Sequence, residues 1–331
     1  MENKVGTVEN KRAPKKSLFR SDAAQKLLAF GSLIIMFIIF SLASPNFLNF
    51  DNFVGILLST AVSGVLAVGV TFVIITSGID LSVGTVMTIS AVMSGVIISY
   101  WKLPIAVGVV GGLIAGALCG LMNGSFIAKM KIPPFIATLG VMMVAKGLSL
   151  VISGTKPIYF METPVFREIT MGTILGIPNA VLIFFGAAIV ASLILNKTVL
   201  GRYTFALGSN EEAARLSGIN VDRWKIAVYT LGGLFSGLAG VMMASRLNSA
   251  QPALGYGYEF EAITAVVLGG TSLSGGEGTI LGTVIGAFIM SVLTNGLRIL
   301  SIPQEWQTVI IGCIVILAVY WDIIRRRQKS A

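Results

Sequence analysis

The chain has 331 residues, of which 55% are apolar and only 12% are charged, and its mean hydropathy is +0.87. Because a soluble domain carries roughly a quarter of its residues as charges, this composition excludes a soluble globular protein and indicates a membrane protein. The net charge of +9 requires no nucleic-acid partner, since basic residues beside membrane spans set topology and contact anionic lipid.

Apolar segments that are long enough to cross a bilayer recur along the chain and predict an all-α polytopic membrane protein with about ten transmembrane helices. The eighth segment is the shortest, so we expect it to be a broken or re-entrant element. A single transmembrane domain, 27–321, is flanked by basic tails at 1–26 and 322–331. The predicted spans are 27–43, 53–76, 83–99, 104–128, 134–152, 180–195, 226–245, 260–274, 279–297 and 305–321.

The distribution of lysine and arginine predicts the orientation. An even number of spans puts both termini on one side, and eighteen of the 24 basic residues then share that side with them. Only five fall on the other side. Because basic loops stay in the cytoplasm, we expect both termini and the loop 196–225 to be cytoplasmic, with the protein in the plasma (inner) membrane.

The cytoplasmic loop 196–225 is a charged island between two apolar spans and contains the signals of a short helix. Ser209 or Asn210 provides an N-cap, Glu211 and Glu212 fall in the electropositive first turn, and Gly218 stops the helix. A capped helix in a loop between two spans is an exposed surface element, which indicates a contact for a soluble partner.

Several absences exclude classes of chemistry. The chain has no histidine, so the commonest general base and metal ligand is missing. Cys119 and Cys313 lie in different predicted spans, which disfavours a metal site or redox pair, and no phosphate-loop motif occurs. We therefore predict no enzyme activity, no catalytic residue, no metal and no cofactor in this chain; any ATP is hydrolysed by a partner subunit.

Two glycine-rich connections hold the most informative polar groups. Asp80 lies between the second and third spans, where it either borders a translocation path or caps the third span through the amide of Val83 or Gly84. The connection 269–279 precedes the ninth span in a similar way and hints at an internal duplication.

Further polar residues lie in or beside the spans. Arg246, Glu259 and Glu261 lie at the predicted outer level, where they either meet a partner or pair with one another. Lys146 lies within an apolar run, so it either snorkels or points into the bundle. Asn123 lies near a span end and is either a path residue or a helix-packing residue.

Four segments together resemble the permease subunit of bacterial ATP-binding-cassette (ABC) sugar importers, in the ribose, arabinose and xylose branch that is related to branched-chain amino-acid permeases. The resemblance covers nearly the whole chain, from about residue 27 to 321. Its most specific parts are SGIDLSVG at 77–84, PPFIATLG at 133–140, GSNEEAARLSGI at 208–219 and VLGGTSLSGG at 267–276.

The resemblance implies an importer of a monosaccharide, with two permease chains (a homodimer rather than a heterodimer), cytoplasmic ABC ATPase subunits and an extracytoplasmic sugar-binding protein. Under it, the short cytoplasmic helix is the coupling helix that seats in the ATPase. Candidate ATPase contacts are Asn210, Glu211, Glu212, Ala213, Arg215, Leu216 and Gly218. Candidate residues of the translocation path are Asp80, Ser82, Asn123 and Thr138, and candidate residues for docking the binding protein are Arg246 and Glu259.

Two rival classes remain open from the residues alone. A secondary transporter driven by an ion gradient is also a multi-span apolar protein, but it usually needs ionisable groups at mid-membrane depth, and these spans are nearly free of carboxylates. An intramembrane enzyme would have to rely on a pair such as serine with Lys146, because histidine is absent.

Overall fold

The computed structural model describes residues 22–330, and within that range seven helices are long and apolar enough to cross a membrane. Two further helices contain shorter apolar stretches, Leu27–Ala43 and Gln304–Tyr320. The basic tail up to residue 21, and residue 331, lie outside the described residues. Residues 322–330 of the predicted C-terminal tail continue the last helix, up to Ser330.

The elements follow one another as a chain of helices with four very short strands. The first seven helices are α1 (Asp22–Ala43), α2 (Phe50–Ile75), α3 (Val83–Gly95, extended by a π-helical turn Val96–Tyr100), α4 (Ile105–Ala128), α5 (Pro134–Ser153), α6 (Val165–Met171) and α7 (Asn179–Lys197). The others are α8 (Val199–Ser209), α9 (Glu211–Leu216), α10 (Val221–Leu247), α11 (Tyr258–Leu268), α12 (Ile280–Ile299) and α13 (Gln304–Ser330). The strands are β1 (Ile158–Tyr159), β2 (Thr173–Ile174), β3 (Ile177–Pro178) and β4 (Ser249–Ala250).

Nine of the ten predicted spans coincide with helices of similar bounds, and the eighth, predicted over 260–274 as a broken or re-entrant element, is not one continuous helix. The helix there, α11, has 11 residues and so spans only about 16 Å, roughly half the thickness of the hydrocarbon core. The chain nevertheless passes from one end of the bundle to the other in this region, because the Gly276 amide donates to the carbonyl of Ile75 at the end of α2. The crossing is therefore a broken element.

The core is built on close contact between α4 and α10, which run antiparallel. Glycines replace side chains along this seam, and the backbone of Gly116 packs directly on that of Gly233 and Gly237. Such small-residue contacts let membrane helices approach closely and gain van der Waals contact without a hydrophobic driving force. The α2 helix packs against α10 and is almost entirely buried over its second half.

The bundle has two distinct ends. The α9 end carries α8, α9 and the connections 76–82 and 269–279. The distal end, which we define by α6 and the four strands, is closed by the antiparallel pairing of β1 with β4 and by the β2–β3 hairpin. The hydroxyls of Thr170 and Ser245 lie 2.7 Å apart and fix α6 on α10.

Candidate functional site

The predicted short helix in the central loop is present as α9, with the expected cap. The side chain of Asn210 accepts a hydrogen bond from the Ala213 amide at 2.9 Å, so Asn210 rather than Ser209 is the N-cap. The helix ends at Leu216, and Gly218 follows in the left-handed region at φ +82°. The loop holds more order than we predicted, because α8 precedes α9 and α10 begins at Val221 rather than at residue 226.

The α9 helix is anchored on one side and open on the other. Ala214 is buried in a small cluster with Leu207 and Val221. The carboxylate of Glu211 accepts from Lys225 Nζ at 2.6 Å and from Arg215 at 3.4 Å, which ties α9 to the start of α10.

The remaining residues of α9 form its open face. Glu212, Ala213 and Arg215 are exposed, and Leu216 is 82% exposed. An exposed leucine beside charged residues is the composition of a docking surface.

A hydrogen-bonded junction joins α8 to both glycine-rich connections. Ser77 Oγ donates to the carbonyl of Ser274 at 2.7 Å and to that of Gly208 at 3.3 Å. The Gly276 amide donates to the Ile75 carbonyl at 2.9 Å. A Cβ atom on Gly208 would collide with the same carbonyl, so only glycine permits this approach. We did not predict this role for Ser77 and Gly208, although both lie in the motifs that carry the resemblance.

The four residues predicted for the translocation path come together around the connection 76–82. Asp80 accepts from the Ser82 amide at 2.8 Å and from Ser82 Oγ at 2.6 Å. Asn123 Nδ2 donates to Ser82 Oγ at 2.8 Å and lies 3.5 Å from the Asp80 carboxylate. Thr138 Oγ1 reaches the carbonyl of Ile79 at 3.3 Å.

This polar cluster is buried, with each of the four side chains 2% exposed or less. Its partners show that the expected capping of α3 through Val83 or Gly84 is wrong: Asp80 bonds Ser82 instead, and α3 has no side-chain cap. Burial raises the pKa of the Asp80 carboxyl, which lies in the connection between two spans, and the hydrogen bonds from Ser82 and Asn123 oppose that rise. In this protomer the cluster fixes the connection, and its part in a path stays a prediction.

Comparison with known proteins identifies the class to which these features belong. The family model described as the permease component of branched-chain amino acid transport systems matches residues 52–319. The chain belongs to this family.

The chain matches similar permeases over most of their length. The ribose import permease protein RbsC of Bacillus subtilis is 43% identical over 325 residues, which cover 98% of this chain and 99% of the relative. The fructose import permease protein FrcC of Rhizobium meliloti is 40% identical over 275 residues, covering 81% of this chain and 76% of the relative. The L-arabinose transport system permease protein AraH of Escherichia coli is 38% identical over 304 residues, covering 91% and 92%. No solved structure matches the chain.

The two residues predicted to dock a binding protein differ in how exposed they are. Glu259 is 1% exposed, and both oxygens of its carboxylate accept from the Gly257 amide at 3.0–3.1 Å. A docking residue has to reach its partner, so this burial disfavours Glu259. Arg246 is half-buried and donates to the Leu58 carbonyl at 3.3 Å. The side chain of Lys146 points to the segment 251–257, with its Nζ 4.8 Å from the ring centroid of Tyr256.

Proposed function

We propose that the chain is the membrane-spanning permease subunit of an ABC importer that moves a monosaccharide, with D-ribose as the first substrate to test. The family match and the relatives that import ribose, fructose and arabinose support this proposal. The observation that carries it is α9, a capped and exposed helix whose neighbour α8 is hydrogen-bonded through Ser77 to one glycine-rich connection, which is in turn hydrogen-bonded to the other.

The proposed assembly contains two copies of this chain, cytoplasmic ABC ATPase subunits and an extracytoplasmic sugar-binding protein. The ATPase subunits contact the open face of α9 and hydrolyse the ATP. The binding protein docks on the distal end, where Leu175 in the β2–β3 turn is 97% exposed. Both termini lie in the cytoplasm of a bacterial cell.

The junction supplies the mechanical step. When the ATPase subunits close on ATP, they displace α9 and, through the continuous backbone, α8. Gly208 then moves against Ile75, and Ser77 transmits the displacement to Ser274. Because the two connections are irregular and hydrogen-bonded to each other, they move together, and the spans on both sides tilt between outward-open and inward-open states.

An ion-gradient-driven transporter is the second candidate, and neither the family nor the relatives favour it. The two candidates differ in their need for a partner. The importer takes up sugar only with its ATPase, whereas a secondary transporter works alone under an ion gradient.

Purification in mild detergent from the native cell tests the proposal. We expect an ATPase to co-purify with the unsubstituted chain and to be lost with Glu212→Lys, which reverses a charge on the open face of α9. Glu162→Lys, an exposed reversal at the distal end, is the matched control and retains the ATPase. A chain that purifies without an ATPase and transports under an ion gradient alone would exclude the importer.

A further inference from the structure

A large polar cavity lies at the distal end, apart from α9, the junction and the buried polar cluster. It has a volume of about 570 Å³ and is enclosed by α2, α10, α11, α12 and α13. Small-molecule sites usually occupy about 300–1,000 Å³, so the cavity is large enough for a monosaccharide. None of the residues predicted from the sequence for the translocation path lines it.

Three ionisable side chains from three different helices face this cavity: Arg246, Glu261 and Arg298. Arg246 uses one nitrogen to bond the Leu58 carbonyl, which leaves guanidinium donors for a ligand. Within residues 22–330, the Glu261 carboxylate has no hydrogen bond or ion pair closer than 4 Å. The cavity therefore offers guanidinium donors together with a carboxyl group that has no partner among the described residues.

Neutral polar side chains complete the lining. The hydroxyls of Ser63 and Thr294 donate to carbonyl groups of their own helices, at 3.0 Å and 2.8 Å. Gln307 Nε2 donates to the Ile302 carbonyl at 2.7 Å. Because these donors are already used, the oxygen atoms of the three side chains present acceptor capacity toward the cavity.

We propose that this cavity binds the neutral, polyhydroxylated sugar as it enters the permease; the inference rests on the proposed function. Vicinal hydroxyl groups both donate and accept, which matches a site where arginines donate while Glu261, Ser63 and Thr294 accept.

The position of the cavity agrees with this role. Its residues lie toward the N-terminal end of α2 and the C-terminal ends of α10 and α12, whereas the opposite ends of these helices lie at the α9 end. If α9 contacts a cytoplasmic ATPase, the cavity faces the side on which a binding protein releases its cargo.

Protection of introduced thiols by ligand tests the proposal without relying on uptake. The assembled importer carries Thr294→Cys, or Ser63→Cys as a second variant, in a background with Cys119→Ser and Cys313→Ser. The probes are D-ribose and D-ribose 5-phosphate, and the readout is the rate of alkylation by a hydrophilic maleimide. Leu175→Cys, which lies outside the cavity at the same end, is the matched control.

We expect D-ribose to slow alkylation at Thr294→Cys and Ser63→Cys but not at Leu175→Cys. Adding Glu261→Gln raises the D-ribose concentration that gives half-protection about tenfold, since an amide is a weaker partner for sugar hydroxyl groups than the carboxyl group. Protection by the phosphate alone, or by neither probe, overturns the proposal.

Uptake measurements test the proposed function, and thiol protection tests the cavity proposal, so the two can fail separately. The proposed function fails if the unsubstituted importer shows no ATP-dependent uptake of D-ribose or of another monosaccharide. The cavity proposal fails if uptake is normal while both cavity thiols react at the same rate with and without D-ribose.

Discussion

At the scale of single residues, the amide of Asn123 holds together a cluster that local sequence does not require. Its Nδ2 donates to Ser82, which in turn donates to Asp80, and all three side chains are buried. We predict that Asn123→Ala destabilises the permease by about 1–3 kcal/mol, because Ser82 and Asp80 lose a buried donor. Thermal unfolding in detergent measures this. Asn196→Ala removes an exposed amide on α7 and should leave the midpoint unchanged; equal midpoints for the two variants would contradict the prediction.

The two asparagine caps beside α9 allow a second prediction. Asn210 and Asn220 each accept from a backbone amide three residues on, at 2.9 Å and 3.0 Å. The helix that follows Asn210 has six residues with one of them buried, whereas α10 has 27 residues and is packed along its length. Losing a cap costs about 1 kcal/mol, which matters only for the short helix. We expect Asn210→Ala to lower ATP-driven uptake at least fivefold and Asn220→Ala to change it less than twofold; similar losses would disprove the difference.

Some of these contacts could be predicted from neighbouring residues in the sequence, and others could not. The cap and the stop of α9 were predictable because Asn210 and Gly218 act on backbone groups within three residues of themselves. The contact of Asn123 with Ser82 and the burial of Glu259 were not, since they depend on how α3, α4 and the segment 251–257 pack. Hydropathy and charge carry no information about that packing.

At the scale of elements, the predicted bounds differ from the structure for two physical reasons. The short eighth segment predicted a broken element, but a hydropathy window over 260–274 does not detect that Gly269 and Gly270 end the helix at Leu268. The α8 helix is amphipathic and short, so it lacks the apolar length that reveals a span. The other spans were predictable because the bilayer requires about 20 apolar residues in one helical run.

The contact between α8 and α2 gives the prediction at this scale. We expect Gly208→Ala to lower ATP-driven uptake at least fivefold, because the new methyl group forces the α8 backbone away from the Ile75 carbonyl and loosens the junction. The ATPase should still co-purify, since the open face of α9 is unchanged. Gly186→Ala is the control: this helical glycine of α7 has open space around it. Normal uptake with Gly208→Ala would show that the junction does not transmit motion.

At the scale of the whole molecule, two independent arguments support the same arrangement of ends. The distribution of basic residues predicts that α9 and both termini share one side. The structure requires α9 and the connections 76–82 and 269–279 to share one end, because Ser77, Gly208 and Ser274 are hydrogen-bonded. The broken eighth crossing keeps the number of crossings even, although α11 alone is too short to span the membrane.

Only the distribution of basic residues predicts which end of the protein faces the cytoplasm, so this orientation needs a test of its own. In a background with Cys119→Ser and Cys313→Ser, we expect a membrane-impermeant maleimide to label Leu175→Cys in intact cells and Ser217→Cys only in inverted vesicles. Both positions are exposed, and one span, α7, separates the two loops. The reverse pattern would put α9 outside the cell, where no ATPase meets it, and would overturn both the orientation and the coupling role of α9. Labelling of both positions from the same side would mean that α7 does not cross the membrane.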